Sequence, residues 1–449
     1  MNFQELTTKY PEFTYVSFEY AVSDNHLHIT FHFSIQSDLH FAPTITIPLS
    51  DKPLPPNFDN LIFHLGLVEM LSYWKLTCSP RITINAGHLD QDQINWWHNL
   101  LTQSMGEYFY NNHIDFTRND LVSITVDSPA TERSVLTRSG DTPLVLAAGG
   151  KDTAVTLGLM TENHHKFGTL LVNPTPAALD LCQISGQPHP IIVERQLDPH
   201  LLELNQQGFL NGHTPFSALL AFLGITTAHL YGFGSVLVSN ERSSNEGNVE
   251  YLGHQINHQY SKTFTFETDF RQYLNQYLIK DLKFISFLRP LYELQIAKIF
   301  ATLPQYWSKF RSCNTGQTTN SWCGHCPKCL FTYACLYPFI DTPDLISIFG
   351  HDLFQDISLY PFAEQLIDPS KAKPFECVGT REEATAAFHL SFTKTQSTGS
   401  VPQLLVQIHD HHLVSAADLE SKAKSLLSGW NSDNYLSEQY QSIIKTALS

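Results

Sequence analysis

Residues 144–153 read Leu144-Val145-Leu146-Ala147-Ala148-Gly149-Gly150-Lys151-Asp152-Thr153. An apolar run, a two-glycine turn and a polar helix start follow one another without a gap. Residues 144–148 have the length and apolarity of a strand buried in a parallel sheet. Gly149 and Gly150 let the backbone approach an anion with no Cβ in the way. Asp152 or Thr153 is placed to cap the helix that residues 154–160 begin. The free N–H groups of such a helix start, with its dipole, favour phosphate. The stretch is not a Walker A loop, because Lys151 is followed by Asp152 and Val145 stands where that loop has its first glycine. Without a ligand it is an ordinary strand–turn–helix corner, so the rest of the chain must decide.

From about residue 140 the pattern alternates. Strands are predicted at 144–148, 169–173, 191–194 and 228–238, with helices near 153–163, 177–184 and 216–223 between them. That order predicts an α/β domain, a parallel sheet with helices on both faces. Ligands bind such sheets at the carboxyl ends of the strands. The Gly149–Asp152 turn, Asn173-Pro174 and Asn240-Glu241-Arg242 therefore face one crevice. Residues 1–138 predict an α+β domain. Strands at 13–18 and 26–35 form a hairpin about Ser23-Asp24-Asn25. Residues 44–47, bounded by Pro43 and Pro48, add a short edge strand, and 60–76 and 93–110 have helical periodicity. The chain from 341 to 449 is mostly helical, with a loop at 393–399. The expected units are thus 1–138, 139–310, a cysteine-bearing segment at 311–340, and 341–449.

A formal net charge of −16 argues against nucleic acid as a partner, which needs a basic surface. An anionic small molecule remains compatible if basic residues gather at one site, and Lys151, Arg242, Lys262 and Arg289 recur among polar clusters in mid-chain. The start of the chain lacks the cationic and apolar segments of a signal peptide. The nearly uncharged stretch 215–240 has the length of a membrane span, but Gly224, His229, Gly232 and Gly234 interrupt it. A buried helix followed by a buried strand explains it better. The expectation is a cytoplasmic protein without membrane insertion; its oligomeric state is not legible.

Four of the eight cysteines, Cys313, Cys323, Cys326 and Cys329, follow the spacing C-x9-C-x2-C-x2-C. Thiolates two residues apart chelate one ion in a tight turn, which Gly324 permits. Four soft ligands suit a closed, structural tetrahedral Zn²⁺ site; an iron–sulfur cluster satisfies the same softness argument. Cys78, Cys182 and Cys335 lie in apolar surroundings and read as core thiols. The run His409-Asp410-His411-His412 reads as a polar helix end, because helical spacing spreads its side chains around the axis.

The loop at 148–153 resembles the Ser-Gly-Gly-x-Asp-Ser signature of the PP-loop ATP pyrophosphatases, with Ala148 in place of the first Ser and Thr153 in place of the last. A PP-loop domain followed by four cysteines resembles the 7-cyano-7-deazaguanine synthases. The fuller string resembles another family. Segments 239–262, 286–298, 311–331 and 373–380 are similar to the UDP-N-acetyl-α-D-muramoyl-L-alanyl-L-glutamate epimerases, the MurL family. That resemblance implies a PP-loop (HUP-like) nucleotide-binding core. It also implies ATP and Mg²⁺ as cofactors, and a UDP-linked muramoyl dipeptide whose terminal L-glutamate is inverted with release of AMP and pyrophosphate.

The residues suit that chemistry. An α-proton beside a carboxylate is hard to remove, because the carbanion places charge next to charge. Adenylation neutralises the acyl group and lets an enolate spread its charge onto oxygen. On this reading Ala148, Gly149, Gly150, Lys151, Asp152, Thr153 and Asn173 hold ATP. Lys262 and Arg289 neutralise phosphates or substrate carboxylates, arginine being suited to bidentate contact. Arg242, Asn245 and Asn248 orient the glutamyl group, or are simply turn-forming polar residues. Cys377 is the first candidate base. It precedes Thr380-Arg381-Glu382-Glu383, a capping-box pattern, and a thiol near a helix N-terminus has a lowered pKa. His258 and Tyr260 are candidates for its partner. Two other classes stay open: a PP-loop ligase or nitrile-forming synthase, and a non-catalytic nucleotide-binding zinc protein.

Overall fold

The fold was taken from a computed structural model that describes every residue except 51–53, 57, 131–134, 139, 398, 415 and 417. The expected division between 138 and 139, and residue 398 of the expected loop, lie outside the described residues. The chain is α/β around one eleven-stranded, mostly parallel sheet. From one edge the order is Lys283–Leu288, Ser235–Glu241, Pro143–Leu146, Gly168–Val172, Ile191–Gln196, Thr44–Pro48, His26–Ile35, Glu12–Ser23, Arg81–Ile84, Ser123–Val126, with Leu39–Phe41 paired onto His26–Ile35.

Three sequence patterns build this sheet. The hairpin of Glu12–Ser23 and His26–Ile35 turns through Asp24 and Asn25, both at positive φ (49° and 59°), as a tight hairpin turn requires. Along Pro143–Leu146 and Ser235–Glu241, neighbouring side chains enter opposite cores. Leu144 and Val236 pack on one face with the first hundred residues; Val145 and Leu237 pack on the other with the C-terminal helices. A strand buried on both faces reads as an unbroken apolar run.

Thr44–Pro48 is not the edge strand expected. It pairs antiparallel with His26–Ile35 on one side and Ile191–Gln196 on the other, so it joins the two halves of the sheet. Pro43 and Pro48 stand at its ends and leave the N–H groups between them free to pair. The strand expected at 228–238 is also displaced. Helix Phe216–Tyr231 runs on to Gly232, whose φ of 81° closes it, and the strand begins at Ser235. An uncharged apolar run reads alike as buried helix or buried strand, and this helix is buried on nearly all sides. Residues 393–396 of the expected loop belong to helix Arg381–Gln396. The Thr380–Glu383 capping box starts that helix, and Lys394 Nζ donates to the carbonyls of Tyr337 (2.8 Å) and Ile340 (2.7 Å) near its end.

His409–Leu413 forms a π-helical turn at the end of Gln403–Ile408. There His409 stacks on Phe392, and Tyr360 Oη meets His411 and His412. Cys78, Cys182 and Cys335 are buried core thiols. Among the described residues, no helix is long and apolar enough to cross a membrane.

The strand order places the site. The chain leaves Pro143–Leu146 in one direction, to Gly168–Val172 and Ile191–Gln196. It returns on the other side, to Ser235–Glu241 and Lys283–Leu288. The connections diverge at the carboxyl ends of Pro143–Leu146 and Ser235–Glu241, and open a crevice there.

Candidate active site

A cavity of about 340 Å³ occupies that crevice. Its floor is apolar, made by Leu146, Leu170, Val172, Val238 and Phe284, and its rim is the Ala148–Thr153 loop. The helix after the loop starts at Lys151, three residues earlier than expected, with Gly150 as its N-cap and no side chain on the cap. The expected caps do other work: Thr153 Oγ1 accepts from the Ala148 N–H at 3.2 Å and closes the loop on itself. An uncapped helix start leaves its N–H groups directed at an anion. Gly149 is required by close packing, since a Cβ there would lie 2.9 Å from Ala177 Cβ.

Charge is concentrated beside the loop. Lys151 is buried, and its Nζ contacts Asp152 Oδ1 and Glu293 Oε2 (2.6 Å). Asp152, Glu241 and Glu293 can each present an oxygen within 4.8 Å of the others. Burial and the Asp152 charge push the Glu241 and Glu293 carboxyls up. Burial opposes charge on Lys151, but Asp152 and Glu293 more than offset it and raise its pKa. Three hard oxygen ligands in one cluster would suit a Mg²⁺ ion.

Cys377 lines the same cavity. Its Sγ lies 3.1 Å from Lys262 Nζ and 3.9 Å from His258 Nε2. Burial alone would raise the thiol. The charges of Lys262 and Lys328 and the contact with His258 reverse that, and hold it well below the ordinary thiol range. Burial likewise works against the charge of Lys262, and Cys377 and Glu241 restore it. A thiolate flanked by cations, open to a cavity, can take a proton from a bound substrate.

The four cysteines expected as a metal site converge, with all four sulfurs within 4.8 Å of one another. Cys323 and Cys329 are 3.7 Å apart at sulfur, close to the edge of about 3.8 Å that Zn–S bonds give a tetrahedron. Backbone N–H groups of Gly316, His325 and Cys329 point at Cys313, Cys323 and Cys326. His325 is largely exposed and turns to Asp356, so the four sulfurs form the donor set by themselves.

Comparison with known proteins places the chain. The family model described as the MurL N-terminal domain matches residues 4–287, and that of the MurL C-terminal domain matches 309–422. The chain belongs to the MurL family. Similar proteins include the UDP-N-acetyl-alpha-D-muramoyl-L-alanyl-L-glutamate epimerase of Salinispora tropica, 34% identical over 78% of either chain. The protein of the same name from Micromonospora is 33% identical over 78% of this chain and 79% of its own. That from Xanthomonas oryzae pv. oryzae is 31% identical over 72% of either chain. No solved structure matches.

In this MurL chain several residues expected at the site are engaged elsewhere. Arg289 is fully buried beneath the cavity. Its Nε donates to Glu267; Nη1 donates to the Glu241 carbonyl and Ser244 Oγ, and Nη2 to the Lys262 carbonyl and Ser286 Oγ. With all five N–H groups engaged, it holds the loops that carry Glu241 and Lys262. Arg289→Met is therefore expected to lower the unfolding free energy by about 3–5 kcal/mol, because Glu267 is left buried and unpaired. Denaturant unfolding checks this; unchanged stability with a raised KM would instead make Arg289 a substrate contact.

Asn248 is buried, and its side chain joins the Pro374 carbonyl to the His258 N–H. Asn245 is exposed and accepts from the Phe264 N–H. Arg242 lies over the Tyr292 ring at 4.4 Å. Asn173 pairs through both side-chain atoms with the Arg195 backbone. Tyr260 turns to Asn99 rather than to Cys377. None of these five lines the cavity.

Sequence reasoning passed over others that do. Glu241 was placed at the crevice but given no role, and Glu293 is among those missed. So is Lys328, between two of the cysteines, and so are Arg311 and Ser312, just before the first cysteine. The Arg311 N–H donates to the Gly149 carbonyl at 2.6 Å, and Ser312 Oγ lies 3.4 Å from the Lys151 N–H. The only signal for these was adjacency to motifs already recognised.

Proposed function

We infer that this chain is an ATP-dependent epimerase that inverts the terminal L-glutamate of UDP-N-acetylmuramoyl-L-alanyl-L-glutamate in peptidoglycan precursor synthesis. The carrying observation is one cavity lined both by the phosphate-type loop Ala148–Thr153 and by the cation-flanked Cys377. The family relation supplies the substrate. Residues 139–310 act as the PP-loop ATP-binding unit, in a cytoplasmic protein.

In this reading the loop N–H groups and Lys151 grip the β- and γ-phosphates. The glutamate α-carboxylate attacks the α-phosphorus, the bond to the bridging oxygen breaks, and pyrophosphate leaves with both electrons of that bond. Asp152, Glu241 and Glu293 would hold Mg²⁺, which neutralises phosphate charge when bound. The acyl-adenylate no longer carries the charge that opposes a carbanion. Cys377 Sγ takes the α-proton, and Lys262 beside it stabilises the resulting negative charge. Return of a proton to the opposite face and hydrolysis release the D-glutamyl product and AMP. The test is nucleotide analysis. AMP and pyrophosphate are expected only when the UDP-linked dipeptide is present; ADP and phosphate would exclude adenylation, and an amide or nitrile product would indicate a synthase.

The four-cysteine segment is assigned a structural Zn²⁺. Purified protein is expected to carry about one zinc per chain. Cys326→Ser should lose it and lower the melting temperature. An iron–sulfur absorption band in anaerobically purified protein, or full stability without metal, would contradict this.

A further inference from the structure

Behind Cys377 lies a cluster that the reaction as described does not use. Glu107, on the short helix Gly106–Asn111, places Oε2 3.3 Å from His258 Nδ1 and 3.5 Å from His213 Nδ1. On its other side, His258 Nε2 faces Cys377 Sγ at 3.9 Å. The side chains of Glu107 and His258 are only 15% and 9% exposed. Among the described residues, neither Glu107 Oε2 nor His258 Nδ1 makes a hydrogen bond, and the two face each other at ion-pair distance.

The order carboxylate, imidazole, sulfur runs from three distant parts of the chain into the wall of one cavity. A carboxylate on one imidazole nitrogen fixes the ring orientation, and stabilises the cation that forms when the other nitrogen is also protonated. We propose that Glu107 is a positioning residue that holds the His258 imidazolium against the Cys377 sulfur, so that the three act as a relay at the substrate α-carbon; this rests on the epimerase reading above.

The surroundings agree. Burial works against charge on His258, but Cys377 and Glu107 outweigh it and raise its pKa. His213 shares the same carboxylate, yet burial pushes it down to about 4. Of the two imidazoles beside this carboxylate, only His258 is favoured in its charged form. Lys262 and Lys328 act on the sulfur from the cavity side, with Glu241 and Glu376 as the nearby acids. In the first step the Cα–H bond breaks and its electron pair moves to the acyl oxygen. The proton joins sulfur as S–H, while His258 keeps its own proton. Cys377 lines the cavity and His258 lies behind it, so only the sulfur meets the substrate. The two do not serve as the two opposed proton carriers of an inversion.

The experiment uses the full chain and reads two things. One is the pH dependence of Cys377 alkylation by iodoacetamide, located by mass spectrometry. The other is the ratio of AMP released to solvent deuterium incorporated into glutamate. Glu107→Gln is expected to move the alkylation midpoint up by about one pH unit and to raise the AMP-to-deuterium ratio about 100-fold. Glu107→Asp should recover part of both. If Glu107→Gln does not fold, His258→Gln should give the same upward shift of the midpoint. A midpoint unchanged in either variant overturns the relay. So does a second bound metal that is lost with Glu107→Gln, since Glu107, His213 and His258 would then be ligands. The alkylation arm needs no nucleotide, so it reads the relay even if wild-type protein forms no AMP, which would overturn the epimerase reading instead.

Discussion

Cys377→Ala is expected to go on releasing AMP and pyrophosphate while solvent deuterium uptake and inversion fall by a factor of about 10³ or more, within the range for loss of a positioned acid–base group. Among the described residues, Sγ makes its polar contacts with Lys262 and His258 and not with the loop or its acidic cluster, so adenylation is expected to proceed without the thiol. The adenylate still forms and water still hydrolyses it, and the glutamate keeps its configuration. Cys377→Ser should be nearly as poor, because a hydroxyl is a much weaker acid than the thiol whose pKa Lys262, Lys328 and His258 lower. The assay compares AMP formed with deuterium gained in the same tube. If Cys377→Ala inverts glutamate at close to the wild-type rate, the thiol is structural and His258 becomes the first group to test.

Asp152→Asn and Lys151→Ala are expected to fail differently, losing AMP release and deuterium uptake together. Both act before the carbanion, and without the adenylate the α-proton stays unreactive. Removal of one preorganised charge contact to a transferring phosphoryl group costs about 10²–10³ in rate. The effect at Lys151 should lie at the upper end, because its Nζ bridges Asp152 and Glu293 and its removal leaves like charges facing each other. Thermal melting of both variants separates this loss from unfolding. A Lys151→Ala protein that folds and still exchanges the α-proton at the wild-type rate would break the link between adenylation and proton transfer.

What the sequence made legible was local. The strand–turn–helix at 144–153 and the four cysteines at 313–329 each declare themselves within one short window, and the structure brings each window together. The hairpin about Asp24 and Asn25 was legible for the same reason. What failed needed knowledge of neighbours distant in the chain. Thr44–Pro48 reads as an edge because prolines bound it, and only its pairing with Arg195 and Glu194 makes it central. Arg289 reads as an anion ligand because arginine suits bidentate contact with phosphate and carboxylate. Its engagement with Glu267, Glu241, Ser244, Ser286 and Lys262 is visible only in three dimensions. The stretch after the fourth strand drew attention to Arg242, Asn245 and Asn248, whereas Ser239, Asn240 and Glu241 are the members that line the cavity. Glu107 gave no signal at all, being one carboxylate on a helix outside every motif the sequence offered.

The central claim is that one cavity couples adenylation to inversion. The most direct measurement incubates UDP-N-acetylmuramoyl-L-alanyl-L-glutamate with the protein, ATP and Mg²⁺ in deuterated water, then determines the chirality and α-deuterium content of the glutamate alongside the AMP formed. D-glutamate carrying an α-deuterium, accumulating only while ATP is converted to AMP, is the predicted result. Inversion at an undiminished rate without ATP, or AMP formation from the dipeptide with the glutamate left wholly L and free of deuterium, would contradict it.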